Sequence, residues 1–387
     1  MKSERRSRKS KPSKRRRTGG GGATDGRKPA GLPRGVADRL ILAQADKILP
    51  GNVLMILTTG TALGKHLIRE RPEVIWKIFT CEHFYLTAIV NALSDDDDVA
   101  ADSDVELFCT PDLPPGEFDT VVFPTDSKSS AELTRDLLQA AANQLKPGGR
   151  LIVSSNNPKD HWLHQHLKDT IGRTTVVKDK HGVCYISRQS DQQNKQKCFR
   201  NEFAFRDGER LIRCVSRPGV FSHRRVDAGA RALIRSLDLV AEYPKFRKKP
   251  VRKIVEMGSG CGSVSTAAAL RFPDASVLAV DSHARAVQAT QETAALNDAT
   301  NVSAMLTSNG VVPDAGQHDV FLCNPPYYSD FRISELFLQS AAETLRPGGL
   351  VHVVTKRLDW HENRMIELFA NATPHKFGQY DVIVSRR

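Results

Sequence analysis

The sequence lacks the features of membrane-spanning and secreted proteins. Its apolar runs fall far short of the roughly 20 residues that a membrane helix needs, and no apolar leader follows its charged start. Its seven cysteines show no C-x-x-C spacing, which argues against a structural zinc site and against a disulfide framework. We therefore expect no bound metal and a reduced, cytoplasmic environment.

Acidic residues are scarce at the start of the chain. The first 35 residues carry 13 Lys and Arg against only Glu4 and Asp25, whereas the whole chain has a formal net charge of +12. The rest of the chain is thus nearly neutral. A polycation of this kind does not bury enough apolar surface to fold alone, and it is attracted to a nucleic-acid backbone. We expect residues 1–36 to be a disordered basic tail that contacts RNA; a solubilising extension or a nuclear-localisation signal at Lys14–Arg17 are the alternatives.

Three motifs occur twice in the chain, about 200 residues apart. They are a strand followed by a glycine-containing turn, a second apolar strand, and a Pro-Gly-Gly stretch; the pairs are Val53–Gly64 with Ile254–Gly262, Phe118–Phe123 with His318–Cys323, and Leu145–Leu151 with Leu345–Val351. A shared offset of this kind predicts two copies of one α/β unit in tandem. We expect one domain at 37–190 and a second at 191–387.

Apolar runs alternate with helical spacing in the second copy. The predicted strands are Ile254–Met257, Ser276–Val280, Val302–Leu306, Val320–Cys323, Leu350–Val354 and Tyr380–Val384. This alternation indicates a doubly wound, mostly parallel sheet of the Rossmann-like kind. A hairpin around Asp207-Gly208 and a helix near Ala228–Leu237 are expected before it, and a helix over Ala37–Leu49 opens the first copy.

A glycine-rich turn and an acidic residue suggest a nucleoside-binding edge in the second copy. Glu256, Gly258, Gly260 and Gly262 follow one strand, with a G-x-G-x-G spacing that is more typical of an adenosylmethionine site than of a dinucleotide site. Asp281 ends the next strand, where a carboxylate can accept the ribose hydroxyl protons; a helix cap is its alternative role. Ser308 and Asn309 follow the third strand, where they read an adenine edge or form a plain turn.

Asn324-Pro325-Pro326-Tyr327 is the strongest signal in the chain. It follows the strand Val320–Cys323, at the carboxyl end where open sheets bind ligands. The Asn324 side-chain oxygen and the Pro325 carbonyl can each accept one N–H of an exocyclic amine on a planar ring. Tyr327 can stack on that ring. Catalysis would then rest on positioning and electrostatics, without a covalent intermediate.

Together these residues resemble the class I methyltransferases that act on planar amines. The two-copy layout is similar to the bacterial ribosomal RNA guanine-N2 methyltransferases with tandem methyltransferase domains, over about residues 40–387. The resemblance includes Arg217–Ser222 followed by Asp227 and Gly229. It implies S-adenosyl-L-methionine as the cofactor, with Phe221 and Asp227 helping to form the pocket. It also implies a guanine of ribosomal RNA as the acceptor, in 16S rather than 23S RNA.

The first copy is predicted to be degenerate. Pro124–Ser127 stands where the second copy has its Asn-Pro-Pro-Tyr motif, and only Gly60 and Gly64 remain of the glycine loop. By resemblance this domain supports folding and RNA binding without catalysing. Because the duplication already supplies a two-lobed surface, we expect a monomer. Two alternatives stay open: the same motif acting on adenine N6 or on a protein glutamine, and a non-catalytic RNA-binding factor of ribosome assembly.

Overall fold

The computed structural model describes residues 33, 35–60, 62–94, 103–189, 197–326 and 329–387. Pro33–Arg387 forms one compact unit, so the contacts between its two halves can be described directly. The predicted tail lies almost entirely outside the described residues. Within the described residues, no helix is both long and apolar enough to cross a membrane.

The first half folds into a seven-stranded sheet. Its strands are β1 (Asn52–Ile56), β2 (Ile75–Thr80), β3 (Val105–Cys109), β4 (Phe118–Thr125), β5 (Leu145–Ser155), β6 (Thr174–Lys178) and β7 (Val183–Arg188). They lie in the order β3-β2-β1-β4-β5-β7-β6. β7 runs antiparallel to both of its neighbours, β5 and β6, and the other neighbouring pairs are parallel.

The second half repeats this sheet strand for strand. The hairpin β8 (Asn201–Asp207) and β9 (Arg210–Ser216) precedes β10 (Lys253–Met257), β11 (Ser276–Asp281), β12 (Val302–Leu306), β13 (His318–Cys323), β14 (Leu345–Thr355), β15 (Thr373–Phe377) and β16 (Tyr380–Arg386). The order β12-β11-β10-β13-β14-β16-β15 matches that of the first sheet. The predicted tandem pair of mostly parallel α/β sheets is therefore confirmed.

Helices cover both faces of each sheet. They are α1 (Val36–Leu42), α2 (Ala62–Glu70), α3 (His83–Ser94), α4 (Ala131–Asn143), α5 (His161–Thr170), α6 (Ala228–Glu242), α7 (Pro244–Lys248), α8 (Ser263–Arg271), α9 (Ala284–Leu296), α10 (Arg332–Thr344) and α11 (Leu358–Phe369). Because apolar side chains are then buried on both sides, the central strands read as continuous hydrophobic runs; every residue of β13 is buried.

The duplication extends to irregular details. Both sheets have a register shift near the start of the strand after the crossover, between Phe118 and Thr120 in one and between His318 and Val320 in the other. At this shift Asp119 accepts a hydrogen bond from Asn52 N at 2.9 Å, as Asp319 does from Lys253 N at the same distance. A shared defect with the same partner indicates common descent of the two copies.

Two elements differ from the prediction. The first helix is shorter than Ala37–Leu49: α1 ends at Leu42, and a short 3-10 turn at Ala45–Lys47 follows. The strand β15 was not predicted, because its sequence TPHKF shows no apolar alternation. Pro374 and Lys376 suit a strand at the exposed edge of a sheet, where such residues discourage pairing with another chain.

Candidate functional site

The candidate site lies at the carboxyl edge of the second sheet. β10, β11, β12 and β13 are parallel neighbours, so the loops that follow them meet at one edge. These loops carry the predicted site residues of the four motifs. The fold therefore brings together the glycine loop, Asp281, Ser308 and Asn324.

The glycine loop has a left-handed backbone at each of its three glycines. φ is +83° at Gly258, +56° at Gly260 and +76° at Gly262, values that strain any other residue. A Cβ at Gly262 would lie 2.7 Å from the Thr290 Cα, so this glycine lets the loop pack on α9. A Cβ at Gly260 would have no neighbour within 4 Å, so the space in front of this glycine is open to a ligand.

Asp281 braces the glycine loop from the neighbouring strand. Its carboxylate accepts hydrogen bonds from Gly260 N at 2.8 Å and from His283 N at 2.9 Å, and burial raises its pKa. The cap of α9 is provided by the His283 side chain, which accepts from Arg285 N. Asp281 is thus free of the capping role and stays partly exposed beside Gly260, which suits a ribose ligand.

Glu256 is buried beneath the loop rather than open to it. The Ser265 hydroxyl donates a hydrogen bond to its carboxyl group, and its residue is only 3% exposed. Burial raises the pKa of Glu256 to about 8. At neutral pH it is therefore largely protonated, and its visible contact supports the first turn of α8.

Ser308 and Asn309 have different surroundings. The Asn309 Oδ1 accepts from Val311 N at 2.9 Å and from the Thr307 hydroxyl at 2.8 Å, so this side chain closes a local turn. The Ser308 hydroxyl lies 3.0 Å from Nδ1 of His83, a residue of the first half. Asn309 thus matches the plain-turn alternative, and Ser308 connects the site to the other sheet.

The Asn324 amide is held in one orientation by Asp227. Its Nδ2 lies 3.1 Å from Asp227 Oδ2, the atom that also caps α6 by accepting from Gly229 N at 2.8 Å. Because a carboxylate only accepts, the amide NH2 must face it, and the Asn324 Oδ1 is turned away from Asp227. Pro325 follows directly. Tyr327 lies outside the described residues.

A cleft between the two halves opens next to Asp227. It encloses about 530 Å³ and is lined by Glu132 of the first half and by residues of the segment before α6: Phe221, Ser222, His223, Arg224, Arg225 and Asp227. Phe221 is 68% exposed, which is unusual for a large apolar side chain beside a cleft. Arg224 pairs with Glu132 across the cleft. The predicted residues Phe221 and Asp227 therefore share one opening.

Sequence reasoning missed the contribution of the first half. Glu82, His83 and Glu132 lie at or beside the site, yet no motif surrounds them, since they belong to the degenerate copy. Arg285 was missed as well, although a buried arginine with three partners joins the two halves. Among the described residues, no three His, Cys, Asp or Glu side chains group as metal ligands would.

The known proteins that this chain resembles are methyltransferases. The family model for the methyltransferase small domain matches residues 211–384. The ribosomal RNA small subunit methyltransferase C of Shewanella sediminis is 25% identical over 82% of this chain and 89% of its own length. The ribosomal RNA large subunit methyltransferase G of Streptomyces avermitilis is 27% identical, covering 86% of each chain.

A solved structure shares the whole fold. The T. thermophilus 16S rRNA N2 methyltransferase, in complex with AdoMet and guanosine, superposes with a TM-score of 0.71 over 92% of this chain and 93% of its own, at 19% identity. The two-sheet fold, the glycine loop and the matched domain are those of a class I methyltransferase. Within that class, the chain is similar over most of its length to the small subunit methyltransferase C and large subunit methyltransferase G enzymes.

Proposed function

We propose that the chain methylates the exocyclic N2 amine of a guanine in ribosomal RNA, in the small subunit rather than the large. The observation that carries the proposal is the fixed Asn324 amide. Asp227 holds its NH2 group, so its Oδ1 is the acceptor available to an incoming amine. An aromatic amine has two N–H donors, and the Pro325 carbonyl is the second acceptor in the same motif.

The residues around the cofactor fit a nucleoside. When bound, S-adenosylmethionine supplies a methyl group on a positively charged sulfur. We assign its ribose to Asp281 and its closest backbone approach to Gly260, in front of which the space is open. We propose that five further residues shape this pocket, the last two of them near the adenine: Gly258, Gly262, Glu256, Ser308 and Asn309.

The acceptor amine needs orientation more than activation. Hydrogen bonds from its N–H groups to Asn324 and Pro325 would turn the nitrogen lone pair toward the methyl group. The nitrogen loses one proton, either as the methyl group is transferred or afterwards. Tyr327 and the exposed Phe221 are the aromatic residues available to stack on the base.

RNA as the substrate is supported by the relatives and by charge. The relatives are, by name, ribosomal RNA methyltransferases. The polycationic tail of residues 1–36 supplies the attraction to phosphate that the nearly neutral remainder of the chain lacks. We propose that 37–190 is the supporting domain and 191–387 the catalytic one, and that the enzyme acts in the cytoplasm.

Methyl transfer with labelled cofactor tests the activity. Purified wild-type chain is incubated with unmodified small-subunit RNA, large-subunit RNA and each assembled subunit. We expect label in small-subunit substrates, and a loss of about a hundredfold or more for Asn324→Ala with an unchanged melting temperature. Label in adenine or in protein would favour the alternative acceptors, and no label in any substrate would favour the assembly factor.

A further inference from the structure

The two halves touch through equivalent loops. The loop after β2 in the first sheet and the loop after β11 in the second pair through an antiparallel bridge between Glu82 and His283. His83 N donates to Ser282 O at 2.8 Å, and Ala284 N donates to Cys81 O at 2.7 Å. On the side of the second half, the contact is thus formed by the loop after β11, the strand that ends at Asp281.

Strand register shows what the first copy has lost at this place. β2 and β11 are equivalent strands of six residues each: β2 begins beside Asn52, and β11 begins beside Lys253. Their last residues, Thr80 and Asp281, therefore occupy equivalent positions. The Thr80 hydroxyl accepts from Glu82 N at 3.1 Å, just as Asp281 accepts from His283 N. The first copy therefore keeps the turn, but a threonine hydroxyl stands where the second copy has the Asp281 carboxylate.

Two side chains of the first half reach the candidate site of the second. The hydroxyl of Ser282, the residue directly after Asp281, donates a hydrogen bond to the Glu82 carboxylate at 3.0 Å. The His83 Nδ1 lies 3.0 Å from the Ser308 hydroxyl. These contacts fix the loops that follow both β11 and β12, which are the two loops assigned to the ribose and the adenine.

The Glu82 carboxyl group is partly buried in this contact. Burial, against the opposing hydrogen bond from Ser282 and with a smaller contribution from the negative charge of Asp281, raises the pKa of Glu82 to about 7. A carboxyl group in an exposed surface ion pair stays hydrated, and its pKa is not raised by burial. The contact therefore places a partly buried carboxyl group against the loop that follows β11.

We propose that the first domain, having lost its own cofactor site, completes the cofactor site of the second. Glu82 and His83 act as positioning residues: they hold Ser282 and Ser308 in place without touching the reacting atoms. Cofactor binding would then depend on side chains of a domain that does not catalyse. The inference rests on the cofactor assignment and is independent of which amine is methylated.

Calorimetric titration of the full-length chain with S-adenosylhomocysteine tests this role. We expect Glu82→Ala and His83→Ala each to raise the Kd about tenfold, since each removes a partly buried hydrogen bond. Glu82→Gln keeps an acceptor for Ser282 and should stay within about threefold. Asp112→Asn is the matched control: it breaks the Arg217–Asp112 pair between the same two halves, which contacts neither Ser282 nor Ser308, and should change Kd less than twofold.

Variants of the second-half partner in each contact provide a control in case a first-half variant does not fold. Ser282→Ala and Ser308→Ala delete single hydroxyls and should reproduce the loss of affinity even if a change at Glu82 or His83 prevents folding. Equal Kd values for the wild type and all four deletions would overturn the proposal, as would an equal loss in Asp112→Asn. A wild type that binds S-adenosylhomocysteine but methylates no guanine would contradict only the acceptor assignment.

Discussion

Asp227 carries two duties with one oxygen atom. Its Oδ2 caps α6 through Gly229 N and receives the Asn324 amide, so the helix start and the acceptor residue are fixed by the same group. By resemblance it was expected to help form the pocket. The structure gives it a more specific contact, as a positioning residue for Asn324.

Replacement of Asp227 separates the two duties. Asp227→Ser keeps a good helix cap, but its short hydroxyl does not extend to Asn324. We expect kcat to fall by about tenfold to a hundredfold, with the KM for S-adenosylmethionine within about threefold. Asp227→Asn, which retains an acceptor of the same length, should restore most of the activity. Equal kcat values for the Ser variant and the wild type would refute the assigned role.

Glu256 makes stability depend on pH. Burial raises its pKa from 4.5 to about 8, so the folded chain holds the proton more tightly than the unfolded chain does. The free energy of unfolding contributed by this group is highest below pH 4.5 and falls as the pH rises through about 8. Urea titrations at pH 6 and pH 8.5 should show a larger loss for the wild type than for Glu256→Gln. Parallel losses in both proteins would contradict the buried, protonated state.

At the scale of elements, the glycine loop offers a test with an internal control. Gly260 and Gly378 both have positive φ, +56° and +65°, and a Cβ at either would meet nothing within 4 Å. Alanine at either position should therefore cost about 1 kcal/mol of stability. Only Gly260 faces the cofactor site, because Gly378 lies in the turn between β15 and β16.

The affinity for the cofactor distinguishes the two glycines. We expect Gly260→Ala to weaken binding of S-adenosylmethionine by tenfold or more, since a methyl group fills the space of closest approach, while Gly378→Ala binds as the wild type does. Fluorescence or calorimetric titration measures both. Equal affinity of the two variants would mean that the open space at Gly260 is not where the cofactor lies.

Most strands of the second half could be predicted from sequence because each is a short apolar run. Val302–Leu306 has the predicted bounds, and the hairpin around Asp207-Gly208 was also expected. The edge strand β15 was missed because an exposed edge needs no apolar pattern. The role of Ser308 was only half visible: its partner His83 lies 225 residues away, and no local spacing reveals a contact of that kind.

On the scale of the whole molecule, Arg285 links the two halves. Arg285 is only 1% exposed. Its guanidinium group donates to Pro111 O at 2.8 Å and to Pro218 O at 3.0 Å, and it forms an ion pair with Asp136 at 2.6 Å. Removing this buried arginine costs folding free energy, because the Asp136 carboxylate and the two backbone carbonyls then lose a hydrogen-bond donor.

Removal of Arg285 should weaken the entire unit. We expect Arg285→Met to lower the free energy of unfolding by about 3 to 5 kcal/mol. Arg224→Ala breaks an exposed pair between the same two halves and should cost less than about 1 kcal/mol. Urea unfolding followed by fluorescence measures both variants. A loss for Arg285→Met no larger than that for Arg224→Ala would show that the interface does not depend on this residue.

Nucleoside mass spectrometry of ribosomal RNA tests the central claim most directly. RNA is compared from cells with the gene, cells without it, and cells without it that carry either the wild type or Asn324→Ala. The account predicts that one N2-methylguanosine disappears from small-subunit RNA and returns with the wild type but not with Asn324→Ala. An unchanged N2-methylguanosine content in the cells without the gene would contradict the assignment of guanine as the acceptor.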